Sequence, residues 1–135
     1  MQNKRVMLKL SGEALASIKG GYNEDKVRDI ANQLKPALAT GVNIGIVIGG
    51  GNYWRGRTSE AIDRTKADQI GMLATIMNCI YVSEIFRSEG IDTAIFSAFV
   101  CGDIAEFFSK DRVNERFAEG KVVFFGGGTG HPYFS

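Results

Sequence analysis

Three glycines in succession, Gly49–Gly51, follow a run of apolar and β-branched residues. Glycine lets backbone N–H groups crowd around an anion with no Cβ in the way. Arg55 lies shortly after Gly51, with Arg57 close by, and a planar guanidinium beside such a turn suits a phosphate. The same residues would also serve a plain strand-to-helix turn with surface arginines. Lys9 stands in an otherwise apolar run, immediately before Leu10-Ser11-Gly12. Its ammonium must be led to something polar, either phosphates at a sheet edge or solvent around a snorkelling edge-strand lysine. Gly126–Gly130 is another loop built for close approach. In it Thr129 offers a hydroxyl and His131 an imidazole, and Pro132, Tyr133 and Phe134 could wall a base pocket by stacking. A tight turn packed by two aromatics is the plainer reading. Asp68, among Lys66 and Gln69, could accept hydrogen bonds from ribose hydroxyls or simply favour the positive end of a helix.

Other chemistries are disfavoured. Gly120-Lys121 is followed by Val122, so the P-loop pattern fails, and neither glycine run completes Gly-x-Gly-x-x-Gly. The single histidine has no serine or cysteine partner at triad spacing. Glu13, Asp103 and Glu106 show no metal-ligand spacing and read as solvated charges, so no protein-held metal is expected. Cys79 and Cys101 lie in apolar segments and read as buried free thiols of a reducing compartment, not as zinc ligands. With 16 basic and 15 acidic residues the net charge is +1, which gives no basic field for nucleic acid. No apolar run suggests a signal sequence or bilayer span, so no membrane partner and a cytoplasmic location are expected.

These residues need elements to place them. Arg5–Leu10 reads as a strand closed by Ser11-Gly12. Asn23 is an N-cap for a helix over Glu24–Thr40, with Pro36 inside it and Gly41 ending it. Val42–Ile48 reads as a buried strand, and Asp63–Ser88 as a long helix stopped by Gly90. Leu73, Ile76, Met77 and Ile80 form one stripe on it, for core or subunit contact. Ile91–Phe96 and Lys121–Phe125 read as strands, Ala105–Phe108 and Val113–Glu119 as helical pieces. Alternating strands and helices imply an α/β fold with a parallel sheet in a three-layer αβα sandwich. Ligands of such sheets sit at the carboxyl ends of the strands, where three of the four expected strands run into glycine-rich turns. The chain, 135 residues and one domain, stops after its last strand and loop with no crossover helix, which reads as an incomplete architecture.

Taken together the motifs resemble those of bacterial uridylate kinases. Lys9–Leu15 (KLSGEAL) is similar to their opening segment, and Gly49–Gly56 (GGGNYWRG) to their triple-glycine loop. Asp68–Asn78 (DQIGMLATIMN) resembles their long helix, and Gly128–Ser135 (GTGHPYFS) their acceptor loop, with His131 where the family usually has Asn. The Ser17–Asn23 stretch does not match the family's glycine-rich loop linked to GTP activation. The resemblance implies the amino-acid kinase fold and transfer of the ATP γ-phosphoryl group to UMP, giving UDP, with magnesium accompanying ATP. It implies that Lys9, Leu10, Ser11, Gly12, Gly51 and Arg55 meet ATP, with Lys9 catalytic. It places UMP against Gly50, Asp68, Thr129, Gly130, His131, Pro132, Tyr133, Phe134 and Ser135. It further implies a hexamer built from dimers through the long helix. The family's second lobe, which binds adenine and positions magnesium, has no counterpart here, so the chain would be the UMP half of a kinase. Two other readings remain: a relative in the same superfamily with carbamate or an amino acid as acceptor, and a non-catalytic α/β fragment that only assembles.

Overall fold

The computed structural model describes residues 4–52 and 62–128. Five strands form one sheet: β1 (Arg5–Leu10), β2 (Asn43–Ile48), β3 (Thr93–Ser97), β4 (Glu106–Phe107) and β5 (Val122–Gly126). Their order is β1-β2-β5-β3-β4, and every pairing is parallel. The helices are α1 (Glu24–Ala39), α2 (Arg64–Ser88) and α3 (Lys110–Ala118).

The helix ends follow from local chemistry. Asn23 accepts a hydrogen bond from the Lys26 N–H, and α1 continues through Pro36 to Ala39. Gly41 then takes φ +88°, which only glycine adopts freely. Asp63 caps α2 by accepting from Thr65 and Lys66, and Ser109 caps α3 by accepting from Arg112.

Strand alternation sends side chains to two faces, giving three layers. Ile44, Ile46, Ile48, Val122 and Phe124 meet Val27 and Ala31 of α1 and Val82 and Phe86 of α2 in one core. Each such side chain contributes roughly 1.5–3 kcal/mol by leaving water. Phe86 and Phe124 meet edge to face, 5.4 Å between ring centroids. On the opposite face Ala94, Phe96 and Val123 pack against Val113 and Phe117 of α3. On the β1–β2 half of that second face Arg5 reaches α3, donating to Asn114 at 3.0 Å and lying over the Phe117 ring, while Met7 is 53% exposed.

Four expectations need correction. Ala105–Phe108 is not helical: Glu106 and Phe107 pair with Phe96 and Ser97 as β4, and the Phe108 N–H donates to the Ser97 carbonyl at 2.9 Å. Satisfying the backbone of β3's outer edge outweighs local helix propensity. Glu106 is not a loose solvated charge, since Arg112 and Arg116 grip its two oxygens at 2.9 Å each. That grip, chiefly the Arg116 hydrogen bond, holds its pKa below the usual value. The α2 stripe divides: Ile76 is buried, whereas Leu73, Met77 and Ile80 are 53%, 45% and 40% exposed. Cys79 is buried, and burial pushes its thiol up to about 12, but Cys101 is only half-buried. By length and a mean hydropathy of 1.3, α2 also meets the composition of a bilayer span, which the sequence reading did not expect. Its inner face is spent on the sheet.

Candidate phosphate site at the carboxyl edge of the sheet

Because the strands are parallel, β1, β2 and β5 all deliver their glycine bends to one rim. The first two bends touch. The Gly49 N–H donates to the Leu10 carbonyl at 3.0 Å. A Cβ on Gly12 would stand 2.5 Å from both the Gly49 carbonyl oxygen and the Asn52 side-chain oxygen. Gly50 backs onto α2: a Cβ there would come within 2.9 Å of the Ala74 Cβ and 3.1 Å of the Gly71 carbonyl oxygen. Gly127, at φ +85°, donates its N–H to the Thr75 hydroxyl at 2.6 Å. Glycine is thus required by close approach in the first two bends and by backbone conformation in the third.

Lys9 is the penultimate residue of β1, paired in register with Val47 and exposed on the same face as Met7. Leu10, Ser11 and Gly12 lead straight from it into the contact with Gly49. Asp68 lies on α2 one turn before Gly71, on the side that meets Gly50. Its side chain is only 16% exposed, and Arg64 donates to it at 3.3 Å. The structure therefore gathers Lys9, Leu10, Ser11, Gly12, Gly50, Gly51 and Asp68 at one rim. Arg55 and the stretch Thr129, Gly130, His131, Pro132, Tyr133, Phe134 and Ser135 lie outside the described residues.

The described residues contain no group of three His, Cys, Asp or Glu side chains able to hold a metal ion.

Among the described residues, cavities adjoin the fold on two sides of β3. The larger, about 640 Å³, is lined by Ser83, Glu84, Arg87, Asp103 and Lys121 among others, away from the glycine bends. The smaller, about 350 Å³, opens beside Gly126 and Gly128 against Phe96, Phe107, Phe108 and Phe125.

Sequence reasoning missed the groups that hold the bends in place. Asn78 is fully buried, and its Nδ2 donates to the Gly49 carbonyl and to Asn52 Oδ1, each at 2.7 Å. Its Oδ1 accepts from Asn52 Nδ2 at 3.1 Å and from the Tyr22 hydroxyl. The signal was present, because Thr75 and Asn78 are polar residues within the apolar inner pattern of α2, where burial demands partners.

Residues 4–133 match the Amino acid kinase family. The chain belongs to the amino acid kinase family. Among solved structures, the chain is similar to UMP kinase from Ureaplasma parvum. The likeness has TM-score 0.91 at 30% identity and covers 100% of this chain and 60% of that one. It is also similar to UMP kinase from Bacillus anthracis, with TM-score 0.88 at 36% identity over 96% of this chain and 55% of that one. The chain thus spans less than two thirds of the length of either UMP kinase. The parallel five-stranded α/β fold is that of these kinases.

Proposed function

We propose that this chain is the acceptor-nucleotide part of a UMP kinase. The reaction moves the γ-phosphoryl group of ATP onto a phosphate oxygen of UMP, releasing ADP and UDP. The observation that carries the reading is the convergence of three glycine bends at one rim, with Lys9 beside them and Asp68 on the helix behind. Phosphoryl transfer needs positioning and charge neutralisation rather than a covalent nucleophile, and closely packed glycine bends beside one lysine suit both. In this reading Lys9 faces the transferring group as a point charge, while Ser11, Gly12 and Gly51 approach the ATP phosphates. Gly50 and Asp68 belong to UMP, the carboxylate at the ribose, and Arg55 and Thr129–Ser135 complete the two nucleotide contacts. Magnesium accompanies ATP, and the longer relatives' additional length is where adenine would be held.

Titration of UMP against the melting temperature of the 135-residue chain tests this. UMP is expected to stabilise the chain saturably, with the dissociation constant raised about tenfold or more in Lys9→Ala and in Asp68→Asn. A flat response to UMP, or unchanged binding in both variants, overturns the reading. Aspartate, glutamate and CMP in the same assay identify a relative with another acceptor. A purely assembling fragment is the second reading, favoured by the exposed Leu73, Met77 and Ile80 on α2, and it predicts oligomers indifferent to every nucleotide.

A further inference from the structure

The glycine bends do not hold themselves apart. Two of their backbone groups, the Gly49 carbonyl and the Gly127 N–H, find partners on α2. The Asn78 amide uses its whole capacity, with two N–H donations and two acceptances. The two donations fix the Gly49 carbonyl and the Asn52 side chain. Asn52 in turn presses on Gly12, where an added Cβ would also come within 3.1 Å of Asn78 Nδ2. The Tyr22 hydroxyl closes the set from the segment before α1, and its ring stacks on Tyr81, one turn along α2 from Asn78, at 3.8 Å between centroids. One turn the other way, the Thr75 hydroxyl accepts from Gly127 and donates to the Met72 carbonyl at 2.7 Å. A single helix face therefore contacts all three bends.

We propose that Asn78, with Thr75 one turn before it, is the positioning residue of the phosphate site. It sets the spacing of the Gly12, Gly49 and Gly127 bends before any nucleotide binds. Asn78 has no exposed surface and so acts through the bends, not on a ligand. Only asparagine fits: aspartate keeps the shape but lacks both N–H donors, leucine lacks every polar atom, and glutamine adds a methylene to a fully packed position. A preorganised site costs no reorganisation when charge arrives, and loss of spacing is felt as lost affinity for the phosphorylated ligand.

The inference rests on the UMP reading, and the experiment separates the two. Amide exchange and UMP affinity are measured on the full chain, wild type, Asn78→Asp and Thr75→Val. Asn78→Asp is expected to weaken UMP binding at least tenfold at pH 7.5 and to speed exchange of the Gly49 amide. As pH falls the buried carboxyl takes up a proton and regains one donor, so the ratio of variant to wild-type affinity should recover, which a purely structural lesion would not show. Thr75→Val should speed exchange at Gly127 while leaving Gly49 protected, and it serves where Asn78→Asp does not fold. Should wild type fail to bind UMP, the functional reading falls while the exchange measurements still decide the positioning role. Unchanged exchange at Gly127 in Thr75→Val, or wild-type affinity with unchanged Gly49 exchange in Asn78→Asp, overturns the proposal.

Discussion

At the scale of single residues, Gly12 shows how a sequence position can be constrained by space rather than by backbone freedom. Its φ of −57° and ψ of −35° suit any amino acid. What excludes a side chain is the Gly49 carbonyl and the Asn52 amide oxygen, both 2.5 Å from where a Cβ would sit. Gly12→Ala is therefore expected to destabilise the chain by about 1–3 kcal/mol through overpacking. That corresponds to a fall in melting temperature of roughly 3–12 °C, to be read by calorimetry. It should also weaken UMP binding, because the displaced groups belong to the neighbouring bend. The glycine pattern of these bends was legible from sequence. Asn78 was not singled out, since a polar residue's burial depends on what folds over it, and its partners lie 26, 29 and 56 residues away in the chain.

At the scale of elements, α2 works on both sides. Its inner face carries Thr75 and Asn78 to the bends, and its outer face exposes Ile70, Leu73, Met77 and Ile80. Their spacing of three, four and three is the seam repeat of paired helices. The paired substitution Leu73→Glu with Met77→Glu is expected to shift the chain to a smaller species in analytical ultracentrifugation, with the melting temperature changed little because neither side chain is in the core. A monomeric wild type would remove this expectation. The extent of α2 was readable from the pattern, but Asp63 is its N-cap and not its first helical residue. Its division into two apolar faces was not, because periodicity reports that a stripe is apolar and not which partner covers it. β4 was misread for a related reason: two residues beside a sheet edge are decided by that edge and not by their own propensity.

For the whole molecule, acid sensitivity follows from the ion pairs that tie α3 to β4. Glu106 titrates below its reference value of 4.5 in the folded chain, mainly through its hydrogen bond from Arg116. A carboxylate with a lowered folded pKa contributes fully above the unfolded value, and the contribution is lost as pH falls through the folded one. Glu106→Gln should cost on the order of 1 kcal/mol at neutral pH and make the loss of stability below pH 4.5 shallower, as read by denaturant melts across pH. Glu89, gripped by Arg28, shifts in the same direction and leaves a residual slope. The parallel architecture was legible because strand and helix patterns alternate along the chain. The exposure of Met7 and Val47 on the second face of the described sheet is a property of tertiary layering that no local pattern encodes.

β1 is an outermost strand of the described sheet, so the amide and carbonyl groups along its free side have no strand beside them. Such margins invite stacking of one chain on the next into fibres, and cationic side chains are a common guard against it. Arg5 and Lys9 are the cations this strand carries. The lysine proposed to face phosphate is thus also a sentry on the strand's margin, and neutralising it removes a barrier to fibrillation along with the proposed ligand contact.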